Sequence, residues 1–251
     1  MRLAQTIYHN LPPATRWGLL LMFCGYIIFL AFGFRAELVL GLSPAFALGR
    51  LWLWQFITYI FMHGGFWHLL INGFMVWTFG AMFEGFWGTR KFLVYCAITG
   101  ISAGLCHAAA EPHSAMPVVG ASGVVFGLLA AFALEFPEMP VYAWFVFPMK
   151  AVHMALLLGA AELAMCFNPQ KSAAANLAHL GGMVAGYIYL RWHPAIAGKL
   201  ALLRGPETVR RVKTEDSDID RILDKISSRG EESLTENEKR RMERYSKWLK
   251  R

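Results

Sequence analysis

Aspartate is missing from most of this chain: the first one is Asp216. Charge of either sign is scarce over the same stretch. Of 24 Lys and Arg, 14 lie from Arg204 onward, and of 17 Asp and Glu, 11 lie from Glu207 onward. Charged residues make up 16% of the chain against 56% apolar, which excludes an ordinary soluble surface. The chain therefore divides near residue 200 into an apolar body, 1–199, and a charged tail, 200–251. Cysteine is also sparse. Cys24, Cys96, Cys106 and Cys166 all fall in or beside apolar stretches, so they are small apolar side chains and not a disulfide frame. No internal repeat or low-complexity segment is present. The net charge of +7 fits basic residues on the cytoplasmic side of a membrane better than a nucleic-acid surface.

What the body does have is length and apolarity. Six stretches are long enough to cross a bilayer, which takes about 20 helical residues: 17–34, 67–84, 92–110, 118–136, 151–167 and 173–192. Their backbone polar groups must be satisfied within the segment, so they are expected to be helices. The first stretch is aromatic and has no small-residue cleavage site behind it, unlike a signal peptide. With the N-terminus inside, the inner segments carry Arg2, Arg16, Arg90, Lys91, Lys150 and the basic tail, and the outer ones Arg35, Arg50 and Lys171. Both termini are then cytoplasmic. The connection 39–66 holds Trp52, Trp54, Phe56, Tyr59 and Phe61, and is expected to lie at the membrane interface. In the tail, Ile219, Ile222, Leu223 and Ile226 form one apolar stripe, and Thr235 with Glu238 reads as a capping box. A small helical hairpin is expected there.

Polar side chains at bilayer depth are costly and need an account. His68 and Asn72 are one helical turn apart and share a face. Ser122 opens the fourth stretch in Gly120-Ala121-Ser122-Gly123, and His179 lies near the start of the sixth. Spans two, four and six run the same way, so all these residues fall in one layer on the outer side. Gly123 and Gly127, and Ala178, Gly182 and Gly186, recur every four residues, a spacing that lets helix backbones approach closely. A serine hydroxyl needs a base to become a nucleophile, and His179 is placed to be one. With no aspartate in the body and no glutamate expected in this layer except Glu111, the expectation is a Ser-His dyad, not a triad. Asn72, His68 and the N–H of Ser122 are the natural donors for an oxyanion.

His63-x4-His68-x3-Asn72, Gly-Ala-Ser-Gly at 120–123, and Ala178-His179 with Gly182-x3-Gly186 together resemble the rhomboid family of intramembrane serine proteases over about residues 15–193. The resemblance implies an all-α membrane protein: a six-transmembrane-helix bundle with a membrane-embedded first loop, here followed by a small helical cytoplasmic tail. It implies Ser122 as nucleophile, His179 as base, His68 and Asn72 as oxyanion partners, and Phe126 packed on the catalytic imidazole. It further implies cleavage of peptide bonds in or near transmembrane helices of protein substrates within the lipid bilayer, without metal or cofactor. An inner (plasma) membrane of a bacterium is the expected location. Where some relatives have Trp-Arg in the first loop, this chain has Trp54-Gln55, with Arg50 nearby. The segment from Asp218 to Thr235 looks like a C-terminal extension of some bacterial relatives.

Other accounts of the same residues stand beside this one. Ser122 is also a small residue suited to helix packing, and His68 with Asn72 could be an interhelical pair without a catalytic role. His63 reads as a loop-structuring residue, and Glu162 as a carboxylate that bonds within the bundle or reaches toward the interface. A zinc site lacks the His-Glu-x-x-His spacing. A non-catalytic protein that binds unstable transmembrane helices is the main functional alternative. A transporter is disfavoured by the lack of paired intramembrane carboxylates and of an inverted repeat.

Overall fold

The computed structural model describes residues 11–143, 147–168 and 172–203, with positions 222, 224–226, 228, 231–235, 237–239 and 242 of the tail. The chain forms two compact units, residues 1–191 and 192–251. The first is a predominantly helical membrane bundle of the all-α class. Its spans are α1 (Pro13–Phe32), α5 (Phe66–Trp87, with a π-helical turn at Val76–Gly80), α6 (Thr89–Ala110), α7 (Ser122–Glu135), α8 (Ala151–Met165) and α9 (Ala174–Leu203). These correspond to the six expected stretches. α1, α5 and α6 are each long and apolar enough to cross a membrane alone, while α7 and α8 are shorter apolar helices.

Helix α7 is the centre of the bundle. Nine of its residues are buried, from Gly123 to Phe132. A helix apolar all round belongs in such a place. By contrast α1 buries only Thr15, Met22 and Gly25, and turns Trp17, Phe23, Leu30 and Phe32 outward, each more than half exposed. Such a surface suits lipid, not water. Small residues set the close approaches around α7. A Cβ at Gly123 would meet Ala103 of α6, and one at Gly182 of α9 would fall 2.2 Å from the carbonyl oxygen of Gly123. Buried hydroxyls then bond to backbone carbonyls: Tyr95 Oη donates to Gly127 O at 2.5 Å, and Tyr59 Oη to Gly100 O at 2.7 Å.

At the opposite end of the bundle from the 122–179 layer, Glu84 closes the N-terminus of α1. Its carboxylate accepts from Ala14 N at 2.8 Å, Thr15 N at 2.7 Å and Thr15 Oγ1 at 2.9 Å, and from Thr89 Oγ1 at 2.7 Å. The first N–H groups of a helix have no partner within it, and a carboxylate there is favourable.

The connection between α1 and α5 is folded, not loose. It contains α2 (Phe34–Leu40), α3 (Pro44–Gly49), α4 (Gln55–Thr58) and a 3-10 turn (Tyr59–Phe61). Gln55 is fully buried and holds it together. Its Oε1 accepts from Ser43 N at 3.0 Å, and its Nε2 donates to Leu38 O at 2.8 Å. The amide thus supplies the anchoring for which the resemblance looks to arginine. Arg50 instead lies over the Phe46 ring, 4.7 Å from its centroid.

Two boundaries differ from expectation. The apolar run from 118 is not helical until Ser122, because Val118 pairs antiparallel with Leu42 of the first loop, each N–H bonding the other's carbonyl at 2.9 Å. And between α7 and α8 the chain makes a β-hairpin, β1 (Pro140–Ala143) with β2 (Phe147–Lys150), in register Pro140 to Lys150. In the tail, the capping box is present: Glu238 Oε2 accepts from Thr235 N and Oγ1, each at 2.8 Å, and Thr235 Oγ1 accepts from Glu238 N at 3.4 Å. Lys225 pairs with the same carboxylate at 2.8 Å. Ile222 is buried. Ile219 and Leu223, with much of the expected hairpin, lie outside the described residues.

Candidate active site

The site is assembled by backbone constraints before any side chain contributes. The Leu42–Val118 bridge fixes the segment ahead of α7, and Gly120 N donates to Tyr59 O at 2.9 Å. Gly120 has φ +124°, a conformation L side chains rarely adopt, and a Cβ there would lie 2.6 Å from His68 Nε2. Glycine is therefore required twice over, by backbone and by space. The turn delivers Ser122 as the first residue of α7. Its N–H is among those a helix cannot bond internally, and it sits at the positive end of the helix dipole.

His179 comes from the second turn of α9. Its Nε2 is 2.8 Å from Ser122 Oγ. The Phe126 ring, one turn along α7 from Ser122, stacks on the imidazole with centroids 4.6 Å apart and planes 9° apart. Serine, imidazole and aromatic ring are thus held by two helices whose spacing is set where Gly182 meets Gly123. Gly186 meets the Tyr95 hydroxyl and Gly127 one turn further on.

His68 and Asn72 lie on one face of α5, as their spacing predicts. The His68 ring packs on the Gly120 turn. Asn72 is buried and its Nδ2 donates to His68 O at 3.0 Å. His63 is fully buried, its ring edge-on to His68 with centroids 4.9 Å apart. Burial and the neighbouring His68 push the His63 imidazole down to about 4. Eight of the sequence-predicted site residues, His68, Asn72, Gly120, Ser122, Gly123, Phe126, His179 and Gly182, are in or border this one layer, while Gly186 packs deeper, at Gly127 and Tyr95.

One expectation is corrected. Glu111 is the glutamate expected nearest this layer, but its carboxylate accepts from the Ser172 hydroxyl ahead of α9. The carboxylate beside the imidazole is Glu162 of α8, whose Oε1 lies 3.0 Å from His179 Nδ1. The pair is close but not collinear as a hydrogen bond. The signal was available. α8 and α9 are joined by a short connection, and Glu162 lies three residues before the end of one while His179 lies five after the start of the other. An antiparallel helical hairpin brings such positions to one level.

Positions 50–192 match the Rhomboid domain, and positions 209–248 match a family of unknown function (DUF6576). The chain is 30% identical over 136 residues to "RHOMBOID-like protein 5" of Arabidopsis thaliana, covering 53% of this chain and 42% of that protein. It is 30% identical over 135 residues to "Putative rhomboid protease YdcA" of Bacillus subtilis, covering 54% and 64%. With "Rhomboid protease GlpG" of Yersinia pseudotuberculosis it shares 25% identity over 188 residues, covering 75% and 65%. The chain spans less than two thirds of the length of the Arabidopsis and Bacillus proteins.

Proposed function

The chain belongs to the rhomboid family, and from that premise we propose that it is an intramembrane serine endopeptidase that cleaves peptide bonds in or near transmembrane helices of membrane proteins. The observation that carries this reading is the 2.8 Å contact between Ser122 Oγ and His179 Nε2. Relatives named as rhomboid proteases support it. The Ser122 hydroxyl donates its proton to Nε2 as Oγ attacks the scissile carbonyl. The developing oxyanion takes hydrogen bonds from the Ser122 N–H, His68 and Asn72. The imidazolium returns the proton to the leaving amine, and water, activated by the same imidazole, releases the acyl group. Stacking on Phe126 keeps the ring plane fixed through both steps.

The substrate must present an extended segment, because a helix keeps its carbonyls in hydrogen bonds. Segments with small or helix-breaking residues, entering from the bilayer past α5 and α8, fit this need. The layer of Ser122 faces outward and both termini face the cytoplasm, given the basic inner segments. A bacterial inner membrane suits this arrangement.

The test is labelling of the full-length protein in detergent with a fluorophosphonate probe, beside Ser122→Ala and His179→Ala. Labelling of the parent that both substitutions abolish is the expected result. A folded parent that never labels would sink the proposal in favour of a non-catalytic protein that binds unstable helices.

A further inference from the structure

An ionisable side chain inside a membrane bundle calls for a named partner. Glu162, near the outer end of α8, has one: Oε1 is 3.0 Å from His179 Nδ1, with the two side chains 18% and 23% exposed. The imidazole is therefore bracketed on three sides. Nε2 faces Ser122 Oγ, the ring face meets Phe126, and Nδ1 faces a carboxylate. An ionised carboxylate only accepts hydrogen bonds. It favours the proton on Nδ1, which leaves the Nε2 lone pair toward Ser122, the tautomer a general base needs. When Nε2 takes the serine proton, the imidazolium forms beside a negative charge in a partly dehydrated setting, where the attraction exceeds that in water. The contact is not collinear in the free protein, as is common for catalytic hydrogen bonds that tighten when substrate binds. The second oxygen, Oε2, is buried without a hydrogen-bond partner. Packing alone gives no reason for a carboxylate there.

We infer that Glu162 is a positioning residue for His179: it acts through the imidazole, selecting its tautomer and stabilising its protonated form, and does not touch substrate. The inference rests on the protease reading for its consequence in catalysis, but the coupling between the two side chains is measurable without it.

Two measurements on the full-length protein in detergent separate these. One is the rate of fluorophosphonate labelling for the parent, Glu162→Gln and Glu162→Asp. The other is the His179 tautomer, read from side-chain nitrogen-15 shifts in the same samples and assigned by comparison with His179→Ala. In the parent, His179 should carry its proton on Nδ1. In Glu162→Gln the amide can donate as well as accept, so the preference should collapse toward a mixture and labelling should slow about 10- to 100-fold. That is less than a fully buried triad carboxylate commands, because this one is partly exposed. Glu162→Asp keeps the charge and should fall between the two, and it serves as the test if the glutamine variant fails to fold. A labelled parent whose rate and tautomer are unchanged in both variants would overturn the inference and leave the protease reading standing. A parent that does not label, yet loses its Nδ1–H tautomer in Glu162→Gln, would overturn the protease reading and leave the coupling standing.

Discussion

Gly182→Ala adds one methyl group that touches no catalytic atom, and it is expected to cost most of the activity. The added Cβ would fall 2.2 Å from the Gly123 carbonyl oxygen and 2.9 Å from its carbon, about 1.2 Å short of the 3.4 Å at which ordinary contact begins. The obstruction is backbone in the first turn of α7, so no side chain can rotate out of the way. The helices must separate. His179 lies one turn before Gly182 on the same face of α9, and its contact with Ser122 is only 2.8 Å. A separation of half the shortfall stretches that contact to about 3.4 Å, past the usual 2.7–3.2 Å, and the full shortfall breaks it. Misplacement on the order of 1 Å at a reacting pair costs about 100-fold, and that is the expected loss in the fluorophosphonate labelling rate. Overpacking should also lower stability by about 1–3 kcal/mol, read from thermal unfolding in the same detergent. Gly18→Ala is the control: it meets nothing within 4 Å and should leave the labelling rate unchanged. If Gly182→Ala labelled at the parent's rate, the claim that the Gly123–Gly182 contact sets the Ser122–His179 distance would be refuted.

Two further perturbations address parts of the bundle away from the serine. Glu84→Ala strands the donors of Ala14, Thr15 and Thr89, and is expected to cost about 3 kcal/mol or more in thermal unfolding; a loss under about 1 kcal/mol would contradict its role as the cap of α1. His63 is held down to about 4 from 6.5 by burial and by His68. The unfolded chain therefore binds the proton first, stability falls as pH drops from 6.5 toward 4 by about 3 kcal/mol, and it is unaffected above 6.5. His63→Leu should remove that dependence from the unfolding profile, and a variant that kept it whole would show the titrating group to be another.

The spans were legible because the bilayer leaves the chain few options. A stretch of apolar residues of that length must close its own hydrogen bonds, and the helices α1, α5, α6, α8 and α9 follow with shifted ends. Hydropathy alone places the start of α7 too early, since the Val118 side chain packs on the buried cluster of the first loop while its backbone pairs with Leu42. Pairing between distant segments leaves no local trace. The β1–β2 hairpin leaves no sequence pattern because its strands have four residues each and begin or carry proline at Pro140 and Pro148. The first loop was recognised as more than a polar connection from its aromatics, but the role of Gln55 was not, because a fully buried amide is defined by carbonyls that only the fold brings to it.

Two glutamates of the spans show where reading residue types reaches its limit. Both Glu84 and Glu162 sit in apolar helices, Glu84 buried and Glu162 partly exposed. Glu84 meets four donors from α1 and Thr89, so its charge is balanced by hydrogen bonds that do not change during any reaction. Glu162 meets one imidazole and keeps one oxygen bare. The attraction between them grows when that imidazole takes up a proton. A carboxylate whose partner is already complete contributes to the folded state, whereas one whose partner becomes complete midway through proton transfer contributes to the transition state. The same topology that brings Ser122 and His179 into one layer also brings the end of α8 there. Glu162 reads from the sequence as a carboxylate that bonds within the bundle, but its partner does not, because the end of α8 and the start of α9 meet only in the fold.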